Sequence, residues 1–394
     1  MKKTLVCVII SMIFFLTVIN ADDINEEAPV SSIFDDISIE TFNEDAPDIN
    51  ARSAIVIDFD AGRILYEKNA YQKRPMASTT KIMTAIVAIE NGNMDDIVTV
   101  SKNAASIWGS SMKLTTGEQI TLKELMYGLL MCSGNDAAIA IAEHIAGSVE
   151  SFLIMMNNKA IDIGALNTNF TSPHGLDGTG HYSTAYDMAL ITRYALNNPL
   201  FNEIVKTKSI QVGKRFMVNT NEMLTSYEGA DGVKTGYTGK AGRCLVTSAT
   251  RDGRRFISVV LFCDSRNLRA LSSKKILDYA FENYYPCNLI KSGHFGEIPV
   301  YKGYEKSVPL LINNSVTQPL TEYEVENLYT KISIPDIIKA PVEKGENIGT
   351  ISVYLNDEIL CESAIIAERS VKQKKIPEYL LDVIQAWLNL MKEY

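Results

Sequence analysis

The spacing of apolar positions changes repeatedly along the chain, and each change predicts a different element. Ser53-Ala-Ile-Val-Ile-Asp58 and Arg63-Ile-Leu-Tyr-Glu67 are β-rich runs on either side of Asp60-Ala-Gly62, the composition of two strands joined by a turn. From Ser78 the period becomes helical. Ile82, Met83, Ile86 and Ile89 recur at helical spacing as far as the stop signal Asn91-Gly92. The same spacing predicts helices over Leu122–Met131, Asp136–Ile145, Ser151–Ile163 and Thr184–Asn197. Cys244–Thr250 and Phe256–Cys263 then read as strands joined by Asp252-Gly253, with a helix over Leu268–Asn283. Strands, then helices, then strands and a closing helix predict an α+β domain over 51–285, with a sheet behind a helical cluster.

At Tyr284-Tyr-Pro286 the pattern shifts to short alternating runs punctuated by Gly and Pro: Val308–Ile312, Leu328–Ile334, Ile348–Leu355 and Ile359–Ile366. These predict a small all-β sandwich domain over 286–368, and it carries no chemistry-bearing cluster, so it reads as a spacer or docking module. In the tail, 369–394, Lys372, Lys374 and Lys375 precede Pro377. Leu380, Val383/Ile384, Trp387, Leu390/Met391 and Tyr394 then share one helical face. An amphipathic helix led by basic residues suits a membrane interface; docking on the β domain is the alternative.

At the other end, Lys2 and Lys3 lead an apolar run from Leu5 to Ile19, closed by Ala21. This is the layout of a secretory signal peptide over 1–21, with a retained anchor as the alternative. The acidic stretch that follows, expected as a solvated linker over 22–50, has no Lys or Arg and accounts for the net charge of −9. What remains is near neutral, which excludes the basic footprint of a nucleic-acid binder. Without Cys7 in the signal, five cysteines remain at irregular spacing, so neither a disulfide framework nor a C-x-x-C metal pattern emerges. No cofactor or metal is expected.

The candidate chemistry lies in three short motifs, in order: Ser78-Thr79-Thr80-Lys81, Ser133-Gly134-Asn135 and Lys234-Thr235-Gly236. Single matches mean little. S-x-x-K also occurs at Ser110/Lys113 and Ser272/Lys275, and S-x-N at Ser101 and Ser265. Ser78 and Lys81 are three apart at a helix start, so the amine can reach the hydroxyl. A lysine base must be neutral, which burial or a second cation such as Lys234 would favour. Ser133 can relay a proton to a leaving nitrogen, and Asn135 can donate to and accept from a peptide group. Either could instead cap a helix. Lys234 and Thr235 suit a substrate carboxylate, with Gly236 clearing room for an extended peptide. The backbone N–H groups of Ser78 and Tyr237 are candidate oxyanion donors, and Tyr237 and Thr238, which lead into a glycine-rich turn, are expected to join the substrate-binding residues.

The ordered set resembles that of β-lactamases and penicillin-binding proteins, which act through an active-site serine. The chain resembles the low-molecular-mass penicillin-binding proteins, serine D-alanyl-D-alanine carboxypeptidases, from about Ser53 to Ile366. Ser172-Pro-His-Gly-Leu-Asp177 and Asp231–Thr238 are further parts of that likeness. The resemblance implies a penicilloyl serine transferase fold and a Ser78 acyl-enzyme that removes the terminal D-alanine from peptidoglycan stem peptides. It also implies β-lactam inhibitors as partners, a place in the cell envelope on the outer side of the cytoplasmic membrane, and Arg269 as a further carboxylate contact. His174 is expected to make a structural hydrogen bond. Two other functions stay open: a β-lactamase, and a non-catalytic wall scaffold. Against the first, the E-x-x-L at Glu150 to Leu153 follows Ser133 too closely to match the class A deacylation loop.

Overall fold

The computed structural model describes residues 46–391, so the expected signal peptide and most of the acidic linker lie outside the described residues. By their contacts, the described residues divide into two compact units. One runs to Ile57 and resumes over Tyr66–Leu277; the other takes Asp58–Leu65 and the chain from Asp278. The division falls inside the helix Arg266–Asn283, whereas the composition changes only after that helix ends.

In the five-stranded sheet, β1 (Ser53–Asp58), β2 (Ile64–Lys68), β3 (Ala230–Thr238), β4 (Gly242–Arg251) and β5 (Arg254–Cys263) lie in the order β2-β1-β5-β4-β3. Antiparallel pairing links β3 to β4 and β4 to β5. All six residues of β1 are buried, which explains its unbroken apolar run. β3 ends the sheet, so one of its edges stays unpaired within it.

Helix α1 (Lys81–Asn91) packs against α2 (Leu122–Met131), α3 (Asn135–Ala146) and the helices Val149–Ile163 and Ala185–Ala195. Every residue from Lys81 to Ala88 is buried, so α1 is the central post of the cluster. Its start departs from expectation. Ala77–Thr80 forms a 3-10 turn, and the α-helix begins only at Lys81. The reason is local: Thr79 Oγ1 donates to Met76 O at 2.6 Å and Thr80 Oγ1 to Ala77 O at 2.8 Å, bonds three residues back that tighten the turn.

Folded chain begins before Ala51. Ile49 is buried, and Asn50 donates from Nδ2 to Asp264 at 2.8 Å and from its main chain to Ser272 Oγ at 3.2 Å. The linker therefore stops short of residue 50. The helix Pro199–Lys206 and the hairpin Ser209–Val212/Arg215–Val218 are additions that the pattern did not resolve, being too short for a period to register.

In the second unit, the six-stranded sheet runs Leu328–Ser333, Asn347–Leu355, Glu358–Ala367, Ser307–Ile312, Gly293–Tyr301 and Ile338–Lys339, with Tyr285–Ile290 pairing Val316–Leu320 apart from it. Its core gathers Ile298, Val308, Leu310, Val353 and Ile365. One helical turn, Glu322–Glu326, interrupts the β structure, held by a Thr321/Glu324 capping box. The tail helix spans Ile376–Leu390, with Pro377 in its first turn. Its Leu380, Val383, Ile384, Trp387 and Met391 are exposed.

Candidate active site

Ser78 stands on the 3-10 turn, half-buried, and Lys81 opens α1 with no exposed surface. Lys81 Nζ lies 2.9 Å from Ser78 Oγ, 2.8 Å from Asn135 Oδ1 and 2.7 Å from His174 O. All three are neutral oxygens. The first two motifs thus meet at one nitrogen. The sequence copies of these motifs do other work: Ser101 caps a helix through Ala104 N, and Lys275 donates to Asp48 O.

The second motif is a tight turn between α2 and α3. Ser133 is buried with φ 59°, a left-handed conformation that costs an L residue energy. Gly134 N donates to Gly128 O at 3.0 Å and Asn135 N to Ser110 O at 2.7 Å, which hold the turn. Neither Ser133 nor Asn135 caps α3, whose N-cap is Gly134 without a side-chain bond. Asn135 instead donates from Nδ2 to Trp108 O at 2.8 Å while Oδ1 serves Lys81, so its two partners fix which way the carboxamide points.

The third motif lies on β3. Lys234 is buried and donates to Thr235 O at 3.0 Å; Thr235 Oγ1 is 3.0 Å from Thr220 Oγ1. Thr220 N also donates to Met131 O, so one threonine ties β3 to the end of α2. A Cβ on Gly236 would sit 3.0 Å from Ser78 N and 3.1 Å from Met76 O. The space that this glycine leaves is thus taken by the backbone of Met76 and Ser78, a correction to the reading that it clears room for a peptide. Tyr237 is half-buried beneath the Arg243 guanidinium, 3.7 Å from its ring centroid. Thr238 Oγ1 donates to Asp177 at 2.7 Å and accepts from Ala241 N at 3.0 Å, so its hydroxyl braces the wall instead of facing a ligand.

Arg269 is a second correction. It has no exposed surface, and its Nη2 lies 2.8 and 2.9 Å from the two carboxylate oxygens of Glu222. A guanidinium already forked onto a carboxylate is a poor candidate for a substrate's carboxylate. Glu222 is 47 residues away in sequence, so no local signal could reveal the pairing.

The Ser172–Asp177 loop closes the site from the other side. Gly175 has φ 89°, and a Cβ there would meet Ala77 O at 2.0 Å, so only glycine fits against the turn that carries Ser78. His174 gives its carbonyl to Lys81 and accepts from Leu176 N at Nδ1. His181 Nδ1 accepts from Thr171 N, which leaves Nε2 to donate to Thr80 Oγ1 at 2.9 Å. Burial pushes His181 down to about 4. Burial, then the Lys81 charge and His181, push His174 down to about 3. Both rings are neutral in the folded protein near neutrality. With folded pKa values below the ordinary 6.5, the unfolded chain binds more protons as pH falls, so stability that is full above about 6.5 drains away below it. We expect the melting temperature to fall steadily from pH 6.5 to 5, where carboxylates still hold their charge, and His181→Gln to flatten that slope. An equal slope in the variant would contradict it.

Beyond the three motifs, sequence reasoning missed Asp136, Thr220 and Glu222. Asp136 is buried and accepts from Ser111 Oγ, Met112 N, Leu114 N and Ala137 N. Nothing in its local sequence marks it. Among the described residues, no group of His, Cys, Asp or Glu is arranged to hold a metal ion.

Known proteins match this arrangement along most of the chain. Residues 40–265 match the D-alanyl-D-alanine carboxypeptidase family, and residues 284–373 match the C-terminal domain of penicillin-binding protein 5. The D-alanyl-D-alanine carboxypeptidase DacF of Bacillus subtilis is 37% identical over 349 residues, covering 86% of this chain and 90% of its own. DacC of Escherichia coli is 35% identical, over 84% of this chain and 86% of its own. In structure, penicillin-binding protein 5 of Haemophilus influenzae aligns with a TM-score of 0.73 at 31% identity, covering 83% of this chain and 99% of that one. Fold, motif order and chain length therefore agree on a serine-type peptidase of the penicillin-binding kind, and the chain belongs to the D-alanyl-D-alanine carboxypeptidase family.

Proposed function

We propose that Ser78 attacks the carbonyl joining the last two residues of a peptidoglycan stem ending in D-alanyl-D-alanine. The serine oxygen bonds to that carbon, the peptide C–N bond breaks, and D-alanine leaves. Water then hydrolyses the acyl-serine. The observation that carries this reading is the 2.9 Å approach of Lys81 Nζ to Ser78 Oγ among neutral oxygens. To act as a base, the amine must first shed the charge that depresses His174, and burial favours that loss. In that form it keeps hydrogens for Asn135 Oδ1 and His174 O, and its lone pair can accept from the Ser78 hydroxyl. Lys81 takes the serine proton, and Ser133 passes one to the departing nitrogen. Lys234 and Thr235 receive the terminal carboxylate, Asn135 orients the peptide, and the N–H groups of Ser78 and Tyr237 stabilise the oxyanion. The unpaired edge of β3 suits an extended peptide laid alongside it.

A β-lactam offers the same carbonyl with a tethered leaving group, so its acyl-enzyme persists. Glu150, which begins the E-x-x-L stretch that follows Ser133, is exposed in the first turn of the helix Val149–Ile163. The N-terminal signal would carry the enzyme across the cytoplasmic membrane and leave with cleavage. The acidic linker, catalytic and β domains would follow, with the tail on the membrane's outer face. That tail helix has 15 residues, about 22 Å of rise, too short for a hydrocarbon core of about 30 Å, so it would lie in the interface.

Benzylpenicillin followed by intact-mass analysis and peptide mapping tests the reading. One adduct per chain on the Ser78 peptide is expected, lasting far beyond mixing, together with D-alanine release from a pentapeptide. An adduct elsewhere or none overturns it, and rapid penicillin turnover without an adduct makes the protein a β-lactamase.

A further inference from the structure

Trp108 is one of two tryptophans in the chain, and its side chain is 62% exposed, although residues of this size usually surrender most of their surface to packing. Its main chain is anchored in the catalytic network. The Trp108 carbonyl accepts from Asn135 Nδ2 at 2.8 Å, and Oδ1 of the same carboxamide accepts from Lys81 at 2.8 Å. A single side-chain amide thus separates the backbone that carries the indole from the amine beside Ser78.

The segment that follows is fixed from two sides. Ser110 O takes Asn135 N, and the buried Asp136 carboxylate gathers Ser111 Oγ, Met112 N and Leu114 N. From the other side, Arg215 donates from Nε to Met112 O at 2.7 Å while pairing with Glu118 at 2.7 Å. A rigid loop holding out an unpacked aromatic ring presents contact area with little ordering cost on binding. Uncharged and flat, the indole matches aromatic or aliphatic groups.

Resting on the reading of Ser78 as nucleophile, we infer that Trp108 is the specificity-determining contact for the side chain of the acyl donor. This is the portion that stays on the serine after the leaving group departs. The class of ligand selected is an acyl donor with an apolar or aromatic side chain, whether a stem peptide or a β-lactam. The role is distinct from that of Lys234 and Thr235, which address the carboxylate on the leaving side.

The test compares second-order acylation rates for benzylpenicillin, which carries a phenylacetyl side chain, with those for 6-aminopenicillanic acid, which carries none. Trp108→Ala is expected to slow benzylpenicillin by about tenfold, the effect of one buried aromatic contact, while 6-aminopenicillanic acid changes by less than about twofold. Trp108→Phe restores most of the loss. Equal slowing of both compounds, or no slowing of either, overturns the inference while leaving the Ser78 reading intact. A parent protein that neither compound acylates overturns the Ser78 reading itself, and this inference with it.

Discussion

Replacing Lys81 with methionine is expected to slow acylation of Ser78 by benzylpenicillin by about 10³- to 10⁴-fold, the upper part of the range that a positioned base supplies. Methionine fills a similar volume and brings no charge into a slot with no exposed surface. The hydroxyl of Ser78 stays, so labelling still proceeds, only slowly. Ser78→Ala separates the roles: with no oxygen to acylate, the adduct is absent however long the exposure. The loss of Lys81 also strips a donor from the buried Asn135 Oδ1, at about 1–3 kcal/mol for an acceptor left unpaired, while His174 O keeps the longer 3.5 Å bond from Ser78 Oγ. Thermal stability must therefore be read beside the rate. A Lys81→Met protein that labels at near the parent rate would remove the lysine from the chemistry and leave the 2.9 Å contact as packing.

How far the sequence reached is clearest at this amine. Ser78 and Lys81 are three residues apart, so the geometry that joins them is local and the motif carried it, even though the first turn proved 3-10 and not α. The meeting with Asn135 joins residues 54 apart, and only the ordered set of motifs hinted at it. Where a role depended on an unmarked partner, the reading failed. Arg269 looked available because Glu222, which holds it, has no motif of its own. Gly236 was read as making room for a ligand, when the room goes to Ser78 N. The longer elements were legible for a local reason too: α2 matches Leu122–Met131 and β1 matches Ser53–Asp58, because each is a sustained run of mostly apolar, buried residues. Short pieces such as Ser209–Val212 offer no repeat, and their positions come from tertiary contacts instead.

Asp136 is the clearest case of a residue that only the fold reveals, and its removal is expected to have the largest effect on stability. The carboxylate is 2% exposed and takes hydrogen bonds from two main-chain N–H groups of the 110–114 segment and one hydroxyl, besides Ala137 N at the start of α3. In Asp136→Ala those donors lose their acceptor in a space too small for bulk water. The cost of several unsatisfied buried groups is not additive, and about 3 kcal/mol is the expected scale. For a unit of this size that lowers the melting temperature by roughly 6–12 °C. Because the chain has two units, a single melting curve mixes them. The fraction of protein still able to bind penicillin after heating reports the catalytic unit alone. Asp136→Asn keeps one acceptor oxygen and is expected to lose about half as much. A shift below about 1 °C in Asp136→Ala, by that measure, would mean that water or a moved side chain satisfies the segment, and that Trp108 and Asn135 are held by something other than this carboxylate.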